Sequence, residues 1–368
     1  MSKQYVHHGG KDSSVAKTRV IGLDIGTTQV RAAEVELVSG RGGRAARPTL
    51  IRAGEAPLPF CAVRDGEVVE PSTVGTAIKQ LWAQHKFSSK DVVIGVGNQR
   101  VIVRELDLPA MPLPELKASL QFQVQDLIPV AVEDAILDYL PTGSRAGEHG
   151  AIVSGLLVAA TKDTVRANVA AVRAGGLNPV SVDLSAFALA RVLGGEETVG
   201  QTLALVDMGA RVTTVVIVAN GVPTMVRLLP SGGQDATEAV AGALGVPAAE
   251  AEAIKRQLGF GFGVPGELQE AAQALATVTT SLVESVRNTF VYYAASHHGA
   301  AAQAVYLTGG ACQLPGLGQY LSSASRLPVS VGQPLGAVEV ARTAADPRLV
   351  DAQHAFAVSV GLAMGVAA

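Results

Sequence analysis

Ile21-Gly22-Leu23-Asp24-Ile25-Gly26-Thr27-Thr28 decides the fold, because Leu205-Val206-Asp207-Met208-Gly209-Ala210 repeats its pattern far along the chain. Each is an apolar run that ends in Asp-x-Gly. Each is followed by a run rich in β-branched residues, Gln29 to Leu37 and Val212 to Val218. The pattern predicts a strand, a tight turn around glycine and a returning strand. A single Asp-x-Gly is no more than a hairpin, since both residues are ordinary turn formers. Two copies in matching contexts predict an internal duplication with one site between the halves. Backbone N–H groups from both turns would suit phosphate there, and one carboxylate from each side would suit magnesium.

Composition sets the bounds. A chain of 368 residues accommodates two domains or one bilobed one, and a hydrophobic share of 48% supplies a sizeable core. Aromatics at 4% give no stacking platform for bases, and a net charge of −3 argues against binding by phosphate neutralisation. The two cysteines, Cys61 and Cys312, form neither a CxxC pair nor a metal-ligand spacing, which predicts a reducing compartment. Residues 1–17 are polar and read as a disordered tail, with His7-His8 inert in it. No segment reads as membrane-spanning. The uncharged stretch Ala355 to Ala368 is shorter than the ~20 residues a spanning helix needs and reads as a buried terminal helix.

Working outward from the first hairpin, residues 18–107 read as the main body of a first lobe. Ser39 to Pro48 is a Gly- and Arg-rich exposed loop, and Val74 to Gln84 is a helix with Val74, Ile78 and Leu81 on one face. The Pro-punctuated segment Leu108 to Pro114 opens a different unit. It leads into a helix with Leu116, Leu120, Val124 and Leu127 along one side, ended by Pro129. Residues 108–182 therefore read as an α+β subdomain inserted into the first lobe. Residues 183–200 carry a connecting helix from Asp183, and 201–368 form the second lobe, with 235–305 its helical part. The second hairpin includes an Asn220-Gly221 turn, a strong short-range hairpin signal.

Asp24 and Asp207 are the first candidates, either as magnesium ligands through its waters or as turn-capping aspartates. Gly26 lets backbone approach a phosphate, and Thr27, Thr28 and Gln29 follow it with donors. Arg31, on the returning strand, either neutralises a phosphate or faces solvent. Gly309-Gly310-Ala311 follows a strand and permits an adenine or ribose to lie against bare backbone. Glu252 and Lys255 share a helix face, either to hold ribose hydroxyls or as a surface ion pair. No Ser-His-Asp order or base-activated cysteine is visible.

The order of these motifs resembles the actin-like ATPase superfamily, which includes actin, sugar kinases and the division protein FtsA. The nearer resemblance is to the type IV pilus assembly protein PilM family. It is carried by Gly22 to Thr28, the stretch Leu108 to Pro129, Val206 to Ala210, Ala251 to Lys255, and Leu307 to Leu317. The resemblance implies an α/β, actin-like (ribonuclease H-like, duplicated) two-lobed fold with the α+β subdomain inserted in the first lobe. It implies ATP and Mg2+ in the cleft, with Asp24 and Asp207 at the metal and at the chemistry. Gly26, Thr27, Thr28, Gln29, Arg31 and Gly209 would meet the phosphates. Gly232 and Gly233 would lie close to the nucleotide. Glu252 and Lys255 would hold the ribose, and Gly309, Gly310 and Ala311 the adenosine. Hydrolysis would be slow, because Ala210 stands where actin has another carboxylate. The family's implied role is that of a cytoplasmic adaptor, held at the inner face of the membrane by the N-terminal cytoplasmic peptide of PilN. Leu116, Leu120 and Val124 are candidates for a groove that takes such a peptide, or for core. An FtsA-like division ATPase and a small-molecule kinase of the same superfamily are the competing expectations.

Overall fold

The computed structural model describes residues 17–38, 46–148, 150–195, 198–261, 263, 265–297 and 299–365. The expected tail lies outside the described residues apart from Lys17, as does the Gly- and Arg-rich stretch 39–45.

The chain opens with β1 (Lys17–Ile25), β2 (Gln29–Val38) and β3 (Thr49–Pro57), followed by a minimal hairpin of β4 (Val63–Arg64) and β5 (Glu67–Val68). Helix α1 (Pro71–His85) and β6 (Asp91–Val96) complete the first crossover. Next come β7 (Val101–Pro109), α2 (Leu113–Gln123), β8 (Ala135–Gly147), β9 (Gly150–Thr161) and α3 (Lys162–Ala174). Strand β10 (Asn178–Leu184) runs into α4 (Ser185–Leu193). The second half repeats the plan with β11 (Thr202–Met208), β12 (Thr213–Ala219), β13 (Val222–Leu229), α5 (Gly233–Leu244), α6 (Ala248–Leu258), α7 (Gln269–Ser296), β14 (Ala304–Thr308), α8 (Leu317–Ser325) and β15 (Val329–Val331). Strand β16 (Glu339–Val340), α9 (Pro347–Asp351) and α10 (Ala357–Met364) close the described chain.

The duplication is visible in the sheets. The first runs β10-β6-β1-β2-β3-β16 and the second β13-β12-β11-β14-β15, so apart from β16 each lobe places its own strands in the order 3-2-1-4-5. The registers match as well. Asp24 pairs with Arg31 across β1 and β2, and Asp207 pairs with Thr214 across β11 and β12. Val20, Ile21 and Leu23 are all buried in β1, as are Leu203, Ala204, Leu205 and Val206 in β11. Both faces of these central strands are covered, which is why both read as unbroken apolar runs.

The inserted unit differs from its expected bounds. Its three-stranded sheet, β7-β9-β8, begins at Val101 rather than 108 and ends at Thr161 rather than 182. Helix α3 instead buries Ala171 and Val172 with Val74, Ile78 and Leu81 of α1, inside the first-lobe core. Strand β10 joins the edge of the first-lobe sheet in parallel with β6. The expected groove is also corrected. Leu116, Leu120 and Val124 are buried with Leu108, Tyr139 and Leu157, so they are the subdomain's own core, and α2 stops at Gln123, well before Pro129.

The two lobes are joined by an exchange of helices. Helix α4 leaves the first lobe and packs on β11, β12 and β13 of the second, while α10 returns to lie on β1, β2 and β6 of the first. They meet almost backbone to backbone: a Cβ at Gly361 would sit 2.0 Å from the Ala188 carbonyl oxygen, and one at Gly22 would sit 2.1 Å from that of Ser359. Gly361→Val is expected to destabilise the protein by about 3 kcal/mol or more, through overpacking against backbone that has no room to yield. Gly242→Ala, exposed in α5 with open space around a new Cβ, is expected to stabilise it by about 0.5–1 kcal/mol. Denaturant unfolding of the pair checks both signs.

Candidate functional site

The two Asp-x-Gly turns face each other across a cleft of about 590 Å³ lined from both lobes, among others by Asp24, Thr27, Arg31, Asp207, Gly209 and Gly309. A more apolar side pocket of about 160 Å³ shares Gly233, Glu252, Lys255, Gly310 and Ala311 with it and continues to Val278, Leu282 and Leu314.

Both turns close in the same way. Gly26 N donates to Gln29 O at 2.9 Å, and Gly209 N donates to Val212 O at 3.0 Å. The N–H groups of Thr27, Thr28, Ala210 and Arg211 have no hydrogen-bond partner among the described residues. Each turn therefore offers two adjacent backbone donors, an arrangement that suits an oxyanion.

The carboxylates behind the turns are close enough to feel each other. Burial pushes the Asp24 carboxyl from 3.8 up to about 6; Arg31 pulls against that, and the neighbouring Asp207 charge adds to it. Asp207 is also raised by burial, opposed by a 2.8 Å hydrogen bond from Thr308 Oγ1 and by Arg31. No third acidic, histidine or cysteine side chain joins them in a metal-binding group among the described residues. Two desolvated like charges in one cleft fit a divalent cation whose remaining ligands come from phosphate and water.

Arg31 faces inward. It lines the cleft, and its Nε donates to Glu55 Oε2 at 2.8 Å. Asp24, Arg31 and Glu55 are cross-strand partners on β1, β2 and β3, so they form one row across the sheet.

At the other end, Gly309 has φ +81°, and a Cβ there would lie 2.4 Å from Met208 O. Glycine is thus required by both the backbone conformation and the close approach. A Cβ on the next residue, Gly310, meets no protein atom within 4 Å, which leaves the space over that turn open. Gly232 and Gly233 serve packing as well as access. A Cβ at Gly232 would lie 2.5 Å from Gly209 O, and Gly233 N donates to that same oxygen at 2.9 Å. The start of α5 is thereby fastened to the second turn.

Glu252 and Lys255 are not a surface pair. Lys255 is 8% exposed, and its ammonium donates to Gly233 O at 3.0 Å, Thr237 Oγ1 at 2.9 Å and Glu252 Oε2 at 2.6 Å. All three of its protons are placed, so Lys255 positions Glu252 and has none left for a ligand. Burial pushes the Glu252 carboxyl up, but hydrogen bonds from Lys255, Thr237 and Arg256 outweigh it and hold the group below the usual range. Glu252 stays an ionised acceptor on the cleft wall.

Sequence reasoning missed several cleft residues: Asn98, Thr164 and Asn168 on the first-lobe side, Ser185 at the start of α4, and Arg211 on the second turn. None lies in a recognisable motif. Tertiary packing brings them to the cleft, as with Ser185, whose Oγ would lie 2.7 Å from a Cβ at Gly95. Asp183 points elsewhere, with its Oδ2 3.0 Å from Arg191.

Two sheets of identical strand order, paired Asp-x-Gly turns and a helix exchange between lobes define an actin-like protein. The chain belongs to the type IV pilus assembly protein PilM family, whose model matches residues 22–366. A solved structure of a PilM-PilN type IV pilus biogenesis complex is similar at 27% identity with a TM-score of 0.82, covering 95% of this chain and 98% of that one. MreB5 of Spiroplasma citri bound to AMPPNP shares the fold, at 12% identity and a TM-score of 0.51 over 94% of both chains. The cell division protein FtsA of Bacillus subtilis (strain 168) is 21% identical over 267 residues; the match spans 66% of this chain and 58% of that protein's length.

The raised Asp24 carboxyl gives a pH-dependent prediction. Its folded value of about 6 lies above its ordinary value of 3.8, so its ionised form costs the ligand-free fold stability at neutral pH. That cost shrinks as pH falls from about 6 toward 4 and vanishes below. Asp24→Asn is expected to stabilise the ligand-free protein by on the order of 1–2 kcal/mol at pH 7, with no gain below about pH 4. Equal wild-type and variant stabilities at pH 7 would sink the assignment of a desolvated charge.

Proposed function

We propose that this chain is a nucleotide-switched adaptor of type IV pilus assembly or a related secretion machine. It takes ATP with magnesium in the cleft and docks the short cytoplasmic N-terminal peptide of a PilN-type membrane protein. Through that contact it links the membrane protein to the cytoplasmic motor. The observation that carries the reading is the meeting of Asp24, Asp207 and four unpartnered turn N–H groups at one end of a cleft whose other end is bare glycine backbone. The turns suit the phosphates, Glu252 a ribose hydroxyl, and the pocket beside Gly310 and Ala311 an adenine. Asp24 and Asp207 would hold magnesium, which neutralises triphosphate charge when bound.

Hydrolysis in this reading is slow. The side chain that α4 presents to the cleft is Ser185, which is a poor base for water, and the carboxylate of Asp183 is taken by Arg191. Support for the partner comes from the similar chain in the PilM-PilN complex, which matches this one over nearly its whole length. No helix among the described residues is long and apolar enough to cross a membrane, which fits recruitment there through a partner.

Calorimetry with ATP and magnesium tests the cofactor, and anisotropy of a labelled PilN N-terminal peptide tests the partner. The wild type is expected to bind ATP, to turn it over more slowly than ~1 s⁻¹, and to bind the peptide with an affinity that changes when ATP is present. Gly310→Val is expected to melt like the wild type without nucleotide, since its side chain enters open space, yet to lose at least about tenfold in ATP affinity. A wild type that binds no nucleotide ends the reading.

A further inference from the structure

The second phosphate turn carries a cation that the first lacks. Arg211 stands four residues after Asp207, where Thr28 stands four after Asp24. Its side chain is 21% exposed, and it lines the cleft. Its guanidinium is held on both sides by α5: Nη1 lies 2.6 Å from Asp235 Oδ1, and Nη2 pairs with Glu238.

That position is a poor one for a positive charge. The first N–H groups of α5 are fastened to this turn, Gly233 to Gly209 O at 2.9 Å and Gln234 to Ala210 O at 2.7 Å. Arg211 therefore sits beside the positive end of a helix dipole, where a cation is disfavoured and an anion favoured. The two carboxylates offset this, but unequally. Asp235 is also committed to the helix start, where its Oδ2 accepts from Gly232 N at 2.7 Å. Glu238 is 44% exposed, and it is the more loosely held of the two.

We propose that Arg211, here paired with Asp235 and Glu238, is a phosphate-contacting residue that exchanges Glu238 for the terminal phosphate of a bound nucleoside triphosphate. A guanidinium forks onto phosphate as readily as onto carboxylate, and a polyphosphate carries more charge than the exposed carboxylate it displaces. Asp235 stays in place as the pivot, since the helix start depends on it. The residue would thus distinguish triphosphate from diphosphate. With Arg31 on the opposite wall, paired with Glu55 at 2.8 Å, one arginine from each lobe flanks the phosphate end.

The inference rests on the ATP reading, and its test separates the two. Affinities for ATP, ADP and adenosine are measured by calorimetry on the wild type, Arg211→Gln and Glu238→Gln. Arg211→Gln is expected to lose about tenfold in ATP affinity, less for ADP, and nothing for adenosine; Glu238→Gln is expected to gain severalfold for ATP. An Arg211→Gln variant that binds ATP like the wild type overturns the proposal and leaves the ATP reading standing. A variant that loses adenosine and ATP alike also overturns it, since Arg211 would then merely hold the turn to α5. A wild type that binds none of the three removes both.

Discussion

Everything at the cleft depends on how closely α4 and α10 cross. The contact at Gly361 and Ala188 is backbone against backbone, and it leaves no side chain to act as a cushion. Arg191 on α4 adds a hydrogen bond to the Gly361 carbonyl at 2.6 Å. This contact sets the distance between the two sheets, because each helix lies on the sheet of the other lobe. The buried apolar residues around it come from both lobes, with Val93 and Leu184 from the first and Leu205 and Val216 from the second. With that spacing fixed, the Asp-x-Gly turns arrive opposite each other, and the cleft follows. A crossing of small residues in backbone contact has no room to close further.

The cleft is a place of unresolved charge. Burial raises the cost of ionising both Asp24 and Asp207, and the Asp207 charge adds to it at Asp24. Arg31 relieves part of that but is shared with Glu55. Arg211 is shared between Asp235 and Glu238. The site is therefore a set of buried and half-buried ionic groups that share partners along the cleft walls, the kind of charge cluster found at functional sites.

Much of this was legible in the sequence, and the exceptions have physical reasons. Both hairpins declared themselves, since central strands covered on both faces are unbroken apolar runs and the turns demand glycine. The edge strand β10 did not: Val180, Ser181 and Val182 are exposed, so it shows no core-facing alternation. The first half of β7 was missed for the same reason, with Arg104 and Glu105 exposed in mid-strand. Leu116, Leu120 and Val124 had the spacing of a helix face, but spacing cannot say whether a face is covered. Glu252 and Lys255 sat at a separation shared by surface pairs and buried ones; only the approach of Gly233 and Thr237 from another helix distinguishes them. Arg211 carried no motif, because its meaning comes from α5 folding back onto the turn.

The C-terminal segment ties the cleft to both lobes. After the second lobe is complete, β16 pairs with β3 at the far edge of the first sheet. The chain next delivers His354, whose carbonyl accepts Gly309 N–H at 3.1 Å. Its ring is 4% exposed, and burial, with the nearby Arg31 charge, holds it below its ordinary value, so it is neutral there. One residue thus bonds the glycine turn of the second lobe and lies within the electrostatic reach of Arg31 and Glu55 in the first. A second tie joins the inserted subdomain to the end of α7, where Glu105 Oε2 lies 3.3 Å from His297 Nε2. The glycine turn is thus hydrogen-bonded to the segment that leads straight into α10, so the cleft floor and the lobe crossing are neighbours along one short stretch of chain.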